Sequence, residues 1–174
     1  AEDETTGTRV AWKRMLKTTN NLSREIDLLE KLKSSPHVIT MLQYFYSKNA
    51  SDQIIQNIVV ELGEFDLEHY IYKIRKSDKL KLHEAKNMLL QVGRGIRDMH
   101  ALNIAIETLN RKSLQHRENV IVVKGIAKIS DLGSSKELVT KNSNSPYVVS
   151  RLYRAPELIL GLDYELNIDV WSLG

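Results

Sequence analysis

The chain has 174 residues, enough for one domain with a hydrophobic core or for two small lobes. Its composition, 42% hydrophobic and 27% charged residues, is typical of a folded globular protein and excludes a disordered one. A net charge of +3 is too small to predict a nucleic-acid partner, and the absence of cysteine excludes a disulfide scaffold, a thiolate zinc site and a cysteine nucleophile.

Neither a signal peptide nor a membrane span is predicted. Residues 1–9 are polar and acidic, whereas a signal peptide has a basic start followed by an apolar core. No apolar run approaches the roughly 20 residues that cross a bilayer. We therefore expect an intracellular protein, cytoplasmic or nuclear, that makes no membrane contact.

The amino-terminal part of the chain reads as strands around one helix. Residues 10–16 alternate in character and predict a strand. Residues 38–46 and 56–62 predict two more strands with a polar loop between them. Between the first strand and these two, apolar residues at helical spacing predict a helix that ends near residues 34–36. Those apolar residues are Leu22, Ile26, Leu29 and Leu32.

The remainder of the chain is predicted to be mostly helical. Apolar residues from Ala85 to Met99 predict a longer helix, and residues 120–129 predict a hairpin that turns at Lys124-Gly125. The Ser-, Thr- and Asn-rich residues 137–150 predict a loop. Strands first and helices later indicate an α+β protein of two lobes. Since Gly63 breaks the strand pattern, we predict a small lobe over residues 1–62 and a large lobe over residues 63–174.

Glu25 is unusual for its place in the predicted helix. Its neighbours at helical spacing are all leucines: Leu22, Leu28, Leu29 and Leu32. An unpaired carboxylate in such an apolar stripe would be costly, so we expect a cation to meet it. Lys13 on the preceding strand is the natural candidate. The alternative is a solvated charge at the rim of the stripe.

A family resemblance is carried by three blocks in the last quarter of the chain: Asp131-Leu132-Gly133, residues 151–158 and residues 169–174. In this order and spacing they resemble the activation segment and following helix of a eukaryotic protein kinase. Residues 145–157 are close to the glycogen synthase kinase and pre-mRNA-processing kinase branch. The resemblance covers about residues 9–105 and 117–174. It implies a two-lobe protein-kinase fold, here truncated at both ends, without the glycine-rich loop and with an incomplete large lobe.

The resemblance also implies a nucleotide site. Lys13 and Glu25 look like the strand-lysine and helix-glutamate pair with which kinases hold the phosphates of ATP. The backbone from Glu61 to Gly63 would meet adenine, and Val60 would close the rear of that pocket. Asn119 and Asp131 would ligate magnesium, a hard cation that takes oxygen ligands. The implied cofactors are thus ATP and magnesium, and the implied partner is a protein substrate or another protein.

The position of the catalytic base departs from the family pattern. After the helix that contains His100, a kinase would have His-Arg-Asp, and here the chain has Ile106-Glu107-Thr108. Thr108 lacks the basicity needed to deprotonate a substrate hydroxyl. Glu107 reverses the sign of the family's arginine. The segment from Thr108 to Gln115 is an insertion in this alignment.

A second alignment would take His116-Arg117-Glu118 as the triplet, with Glu118 as the base. It leaves no spacer before Asn119, so the carboxylate and the amide could not both point into the site. We favour the first alignment because the geometry of a base is judged before its pKa. By family the chain would transfer phosphoryl groups to Ser or Thr. On these residues it is a catalytically impaired kinase, or else a pseudokinase or interaction module that binds partners without catalysis.

Overall fold

The computed structural model describes residues 1–4, 6–17, 23–67, 69–70, 72, 82–106, 119–133, 135–138 and 155–173. The helices in these ranges are α1 (Arg24–Lys31), α2 (Leu82–His100), α3 (Pro156–Leu160) and α4 (Asn167–Leu173). The strands are β1 (Val10–Leu16), β2 (Met41–Lys48), β3 (Ile54–Glu61), β4 (Phe65–Asp66), β5 (Ile104–Ala105), β6 (Val120–Val123), β7 (Ile126–Ile129) and β8 (Lys136–Glu137). This mixture of helices and small sheets confirms the predicted α+β class.

The first sheet is antiparallel, with β3 between β1 and β2. Helix α1 begins after Ser23, whose hydroxyl accepts a hydrogen bond from the backbone N–H of Ile26 at 3.4 Å. That hydroxyl also accepts from the side chain of Gln56 at 2.8 Å, which attaches the start of α1 to β3. The predicted helix is thus confirmed from Arg24, and Leu22 lies outside the described residues.

The hairpin of β6 and β7 joins the first sheet to α2. Its turn has positive φ at Lys124 (49°) and Gly125 (77°), as a two-residue hairpin loop requires. On the edge of β7 that does not pair with β6, the N–H of Ile129 donates to the carbonyl of His37 at 2.9 Å. On the same edge, the N–H of Ile39 donates to the carbonyl of Ile129 at 2.8 Å. This pairing uses the start of the strand predicted over residues 38–46, so β2 begins only at Met41.

Three short strands were not predicted. Strand β4 pairs with β6, and β5 pairs with β8 through Ile104 opposite Glu137. The loop predicted over residues 137–150 is therefore wrong at Glu137, and residues 139–150 lie outside the described part of the chain. A two-residue strand carries no periodicity and is formed by its partner rather than by its own sequence. The predicted lobe boundary falls between β3 and β4 and stays a prediction.

Buried side chains of α1, β3, α2 and the β6–β7 hairpin form one hydrophobic core, which also includes Ile106 and Leu132. Leu29 is its member from α1. A smaller cluster forms around Tyr164 and Ile168 near α4. Within the described residues, none of the helices is long and apolar enough to cross a membrane.

Candidate functional site

Lys13 lies between two carboxylates. Alternation along β1 directs Lys13 to the side of the sheet that α1 covers, where its Nζ lies 2.7 Å from Glu25 Oε1. The same Nζ lies 3.2 Å from Asp131 Oδ1. Glu25 is only 6% exposed, which confirms the predicted pairing and excludes the alternative of a solvated rim charge.

Burial and charge act in opposite directions on this cluster. Burial raises the pKa of Glu25, and nearby Asp131 raises it further, against the effect of Lys13. Burial lowers the pKa of Lys13, but the carboxylates of Glu25 and Asp131 outweigh it and hold that pKa above its ordinary value. Lys13 is therefore a fixed cation at neutral pH. Glu25 Oε2 is buried and has no hydrogen-bond partner among the described residues.

Asp131 leaves the end of β7 towards solvent. Its side chain is 49% exposed, and the backbone N–H of Gly133 donates to its Oδ1 at 3.1 Å. Leu132 is fully buried in the core and anchors this turn. The carboxylate thus has a fixed position and remains accessible to a ligand.

Asn119 is brought to the same end of the hairpin as Asp131. Asn119 is 8% exposed, and its carbonyl accepts a hydrogen bond at 2.8 Å from Ser130, the residue before Asp131. Backbone pairing therefore keeps Asn119 beside this segment, although the favoured alignment of the sequence predicts an insertion before it. An amide oxygen and a carboxylate fit magnesium, which takes its other ligands from water and phosphate.

The link from β3 to β4 borders the site. Val60 pairs with Ala11, two residues before Lys13, and therefore lies on the same face of the sheet as Lys13. After Glu61 the chain runs along the β6–β7 hairpin, where the N–H of Glu64 donates to the carbonyl of Val122 at 2.8 Å. A Cβ added at Gly63 would lie 3.0 Å from Ile121 Cβ, so Gly63 packs directly against β6.

The side chain of Glu61 has partners that the sequence did not predict. Its Oε1 accepts from Lys128 Nζ at 2.5 Å and from the N–H of Thr40 at 2.7 Å. Burial alone would raise the pKa of Glu61, but the hydrogen bonds from Lys128 and Thr40 lower it overall. No spacing rule links residues so far apart. The only sequence signal was a lone lysine within the apolar strand β7.

A second buried carboxylate holds the chain that leads towards the predicted base. Asp169 is 2% exposed and accepts from the N–H of Ile106 at 3.0 and 3.2 Å. His100 Nε2 lies 2.8 Å from Asp169 Oδ2. The sequence did not predict this contact of His100. Both candidates for the base, Thr108 and Glu118, lie outside the described residues.

Comparison with known proteins identifies the class. Residues 1–174 match the model of the protein kinase domain family, so the chain belongs to that family. It is 32% identical to protein kinase gsk3 of Schizosaccharomyces pombe, over 95% of this chain and 42% of that relative.

Two other relatives are serine/threonine kinases by name. The probable serine/threonine-protein kinase MRK1 homolog of Encephalitozoon cuniculi is 29% identical, over 94% of this chain and 49% of its own length. The probable serine/threonine-protein kinase glkA of Dictyostelium discoideum is 30% identical, over 95% of this chain and 33% of its own length. The chain thus spans between a third and a half of the length of these relatives. The resemblance to the glycogen synthase kinase branch is confirmed.

Proposed function

We propose that this chain binds ATP with magnesium at the Lys13 site and transfers the γ-phosphoryl group to protein Ser or Thr slowly or not at all. The observation that supports nucleotide binding is the position of Lys13, with its ammonium held between Glu25 at 2.7 Å and Asp131 at 3.2 Å. Such a fixed cation beside an exposed carboxylate can accept a phosphate and its metal together.

Each residue of the site has a role in this proposal. Lys13 binds the phosphates, and Glu25 holds Lys13 in place. Asn119 and Asp131 hold magnesium, which neutralises charge on the phosphates when it is bound. The backbone of Glu61 to Gly63 binds adenine, and Val60 limits the depth of that pocket.

The residues of the base segment argue for impaired catalysis. Thr108 stands where a kinase has its catalytic aspartate, and it cannot accept the proton of a substrate hydroxyl at neutral pH. Glu107 stands where the family has an arginine. Positioning and charge supply most of the rate in phosphoryl transfer, so these two changes should compound.

The same substitution at Thr108 favours a second candidate function, a pseudokinase that binds protein partners without catalysis. The family implies a protein substrate or partner for either function. The cytoplasmic or nuclear location and the absence of a nucleic-acid partner stay predictions.

Nucleotide binding is tested by titrating ATP into the chain with and without magnesium, with thermal shift as the measurement. We expect dissociation constants from high micromolar to millimolar, which correspond to binding free energies of about −4 to −6 kcal/mol. We also expect this binding to depend on magnesium. Lys13→Met and Asp131→Ala should abolish the shift, whereas Lys33→Met, at a lysine that is 73% exposed on its side chain, should leave it unchanged. Tight binding without magnesium would contradict the proposed site.

Phosphoryl transfer is tested with radiolabelled ATP and a basic protein substrate. We expect no more than trace incorporation with the unaltered chain. If the base is the main defect, Thr108→Asp should increase incorporation, and adding Lys13→Met should abolish the gain. Fast incorporation by the unaltered chain that Lys13→Met removes would show an active kinase and refute the impairment.

A further inference from the structure

Two residues that face each other across the β6–β7 hairpin both contact the link from Glu61 to Gly63. Ile121 on β6 is directly opposite Lys128 on β7. Ile121 packs under Gly63, and Lys128 pairs with the carboxylate of Glu61. Since opposite residues of an antiparallel pair share one face, a single face of the hairpin supports both ends of this three-residue link.

The pair of Lys128 and Glu61 is largely removed from water. The Lys128 side chain is 10% exposed and that of Glu61 is 20% exposed. A lysine buried to this extent requires a partner, and only a carboxylate matches its charge. A buried pair of this kind adds little net stability compared with apolar residues, but it can fix one arrangement of the chain.

Thr40 completes the attachment of Glu61. The N–H of Glu61 donates to the carbonyl of Thr40 at 3.1 Å, and the N–H of Thr40 donates to Glu61 Oε1 at 2.7 Å. This exchange lies beside an irregularity in the register of β2 and β3, between Met41 and Gln43. The side chain of Glu61 thus supplies the acceptor for Thr40, while Lys128 holds that side chain in place.

We propose that Lys128, acting through Glu61, is a positioning residue for the adenine half of the nucleotide site. The proposal rests on the proposed function. Lys128 touches no nucleotide itself, and its effect is to hold the backbone from Glu61 to Gly63 at one distance from the hairpin. Without Lys128, the Glu61 carboxylate keeps only Thr40 as a partner among the described residues and turns towards water. Adenine affinity then falls, while the phosphate site around Lys13 keeps all of its contacts.

The test compares two probes in the presence of magnesium: ATP, and inorganic tripolyphosphate, which has the phosphates without the base. For Lys128→Met we expect the ATP dissociation constant, measured by NMR titration, to rise about 3- to 10-fold, the size of one lost hydrogen bond of ordinary net strength. The tripolyphosphate constant should not change. Lys124→Met, in the exposed turn of the same hairpin, should change neither, and Lys13→Met should weaken both probes.

Two further variants separate positioning from general destabilisation. Lys128→Arg keeps the charge and should restore most of the ATP affinity. Glu61→Gln keeps the shape of the side chain, so this variant should fold even if Lys128→Met unfolds. It should weaken the binding of ATP and leave the binding of tripolyphosphate unchanged. Unchanged ATP affinity in Glu61→Gln, or equal losses for ATP and tripolyphosphate, would overturn the proposal. An unaltered chain that binds neither probe would instead refute the proposed function on which it rests.

Discussion

His100 Nε2 lies 2.8 Å from Asp169 Oδ2 and joins the end of α2 to α4. The same carboxylate accepts hydrogen bonds from the N–H of Ile106, so one buried group holds three separate parts of the chain together. Ile106 immediately precedes Glu107 and Thr108. Helix α4 therefore fixes the start of the segment that contains the predicted base position, Thr108, although α4 lies far away in the sequence.

The first prediction concerns this buried carboxylate. Asp169→Ala leaves the N–H of Ile106 and the ring of His100 buried without their acceptor, which should lower the free energy of unfolding by about 1–3 kcal/mol. Urea denaturation measures the change. Asp163→Ala is the matched control, because Asp163 is exposed in the same region. Equal stability of the two variants would show that the contacts of Asp169 contribute nothing.

Replacing two different glycines of α2 with alanine should change the free energy of unfolding in opposite directions. A Cβ at Gly95 would lie 2.7 Å from the carbonyl oxygen of His37, so Gly95→Ala must push α2 away from that segment. We expect a loss of about 1–3 kcal/mol for this overpacking. Among the described residues, a Cβ at Gly93 would meet only Leu173, at an ordinary 3.8 Å. Gly93→Ala should therefore stabilise the helix by about 0.5–1 kcal/mol.

Thermal and urea unfolding of both variants check this pair of predictions. Since both substitutions add the same methyl group to the same helix, the difference between them reports only the space around each position. Destabilisation of similar size in both would indicate that α2 packs differently from the arrangement described above.

Glu61 should make stability depend on pH in the acid range. Its partners Lys128 and Thr40 hold its pKa below the ordinary 4.5, against the effect of burial. A carboxylate with a lowered folded-state pKa stabilises the protein above the unfolded-state value and loses that contribution as pH falls through the folded-state value. The stability difference between the unaltered chain and Glu61→Gln should therefore shrink below about pH 4.5. A difference that is constant from pH 7 to pH 3 would contradict the ion pair.

The parts of the site that could be predicted are those marked by a pattern of residues close together in the sequence. Glu25 stood out because the residues at helical spacing from it are leucines, which predicted either a nearby cation or a solvated charge at the rim of the stripe. The hairpin and its Lys124-Gly125 turn were equally local. No such pattern marks the pair of Glu61 and Lys128, because the contact depends on how the β6–β7 hairpin docks against the end of β3.

The same reason explains the missed contact of Asp169. Its carboxylate is close in sequence to apolar residues of α4, whereas its partners are His100 at the end of α2 and Ile106 just after β5. Tertiary packing alone decides which polar groups meet, so pattern analysis could name the residue types at these positions but not their partners.

The final prediction concerns Glu25, where stability should depend on pH in the opposite direction to that at Glu61. Burial raises the pKa of this carboxyl above its ordinary 4.5, and Lys13 partly offsets that rise. Lys13→Met removes the cation and leaves a buried carboxylate unpaired. At pH 8 we expect a loss of about 1–3 kcal/mol, less than for a fully buried pair because the Lys13 side chain is 39% exposed.

The loss in Lys13→Met should diminish as pH falls, because a protonated Glu25 is neutral and no longer needs a cation. A carboxyl with a raised folded-state pKa contributes stability that is complete below the unfolded-state value and is lost as pH rises through the folded-state value. Urea denaturation at pH 8 and pH 5 measures both states, with Lys33→Met as a control at an exposed lysine. A deficit of the same size at both pH values would show that the charge of buried Glu25 is not its cause.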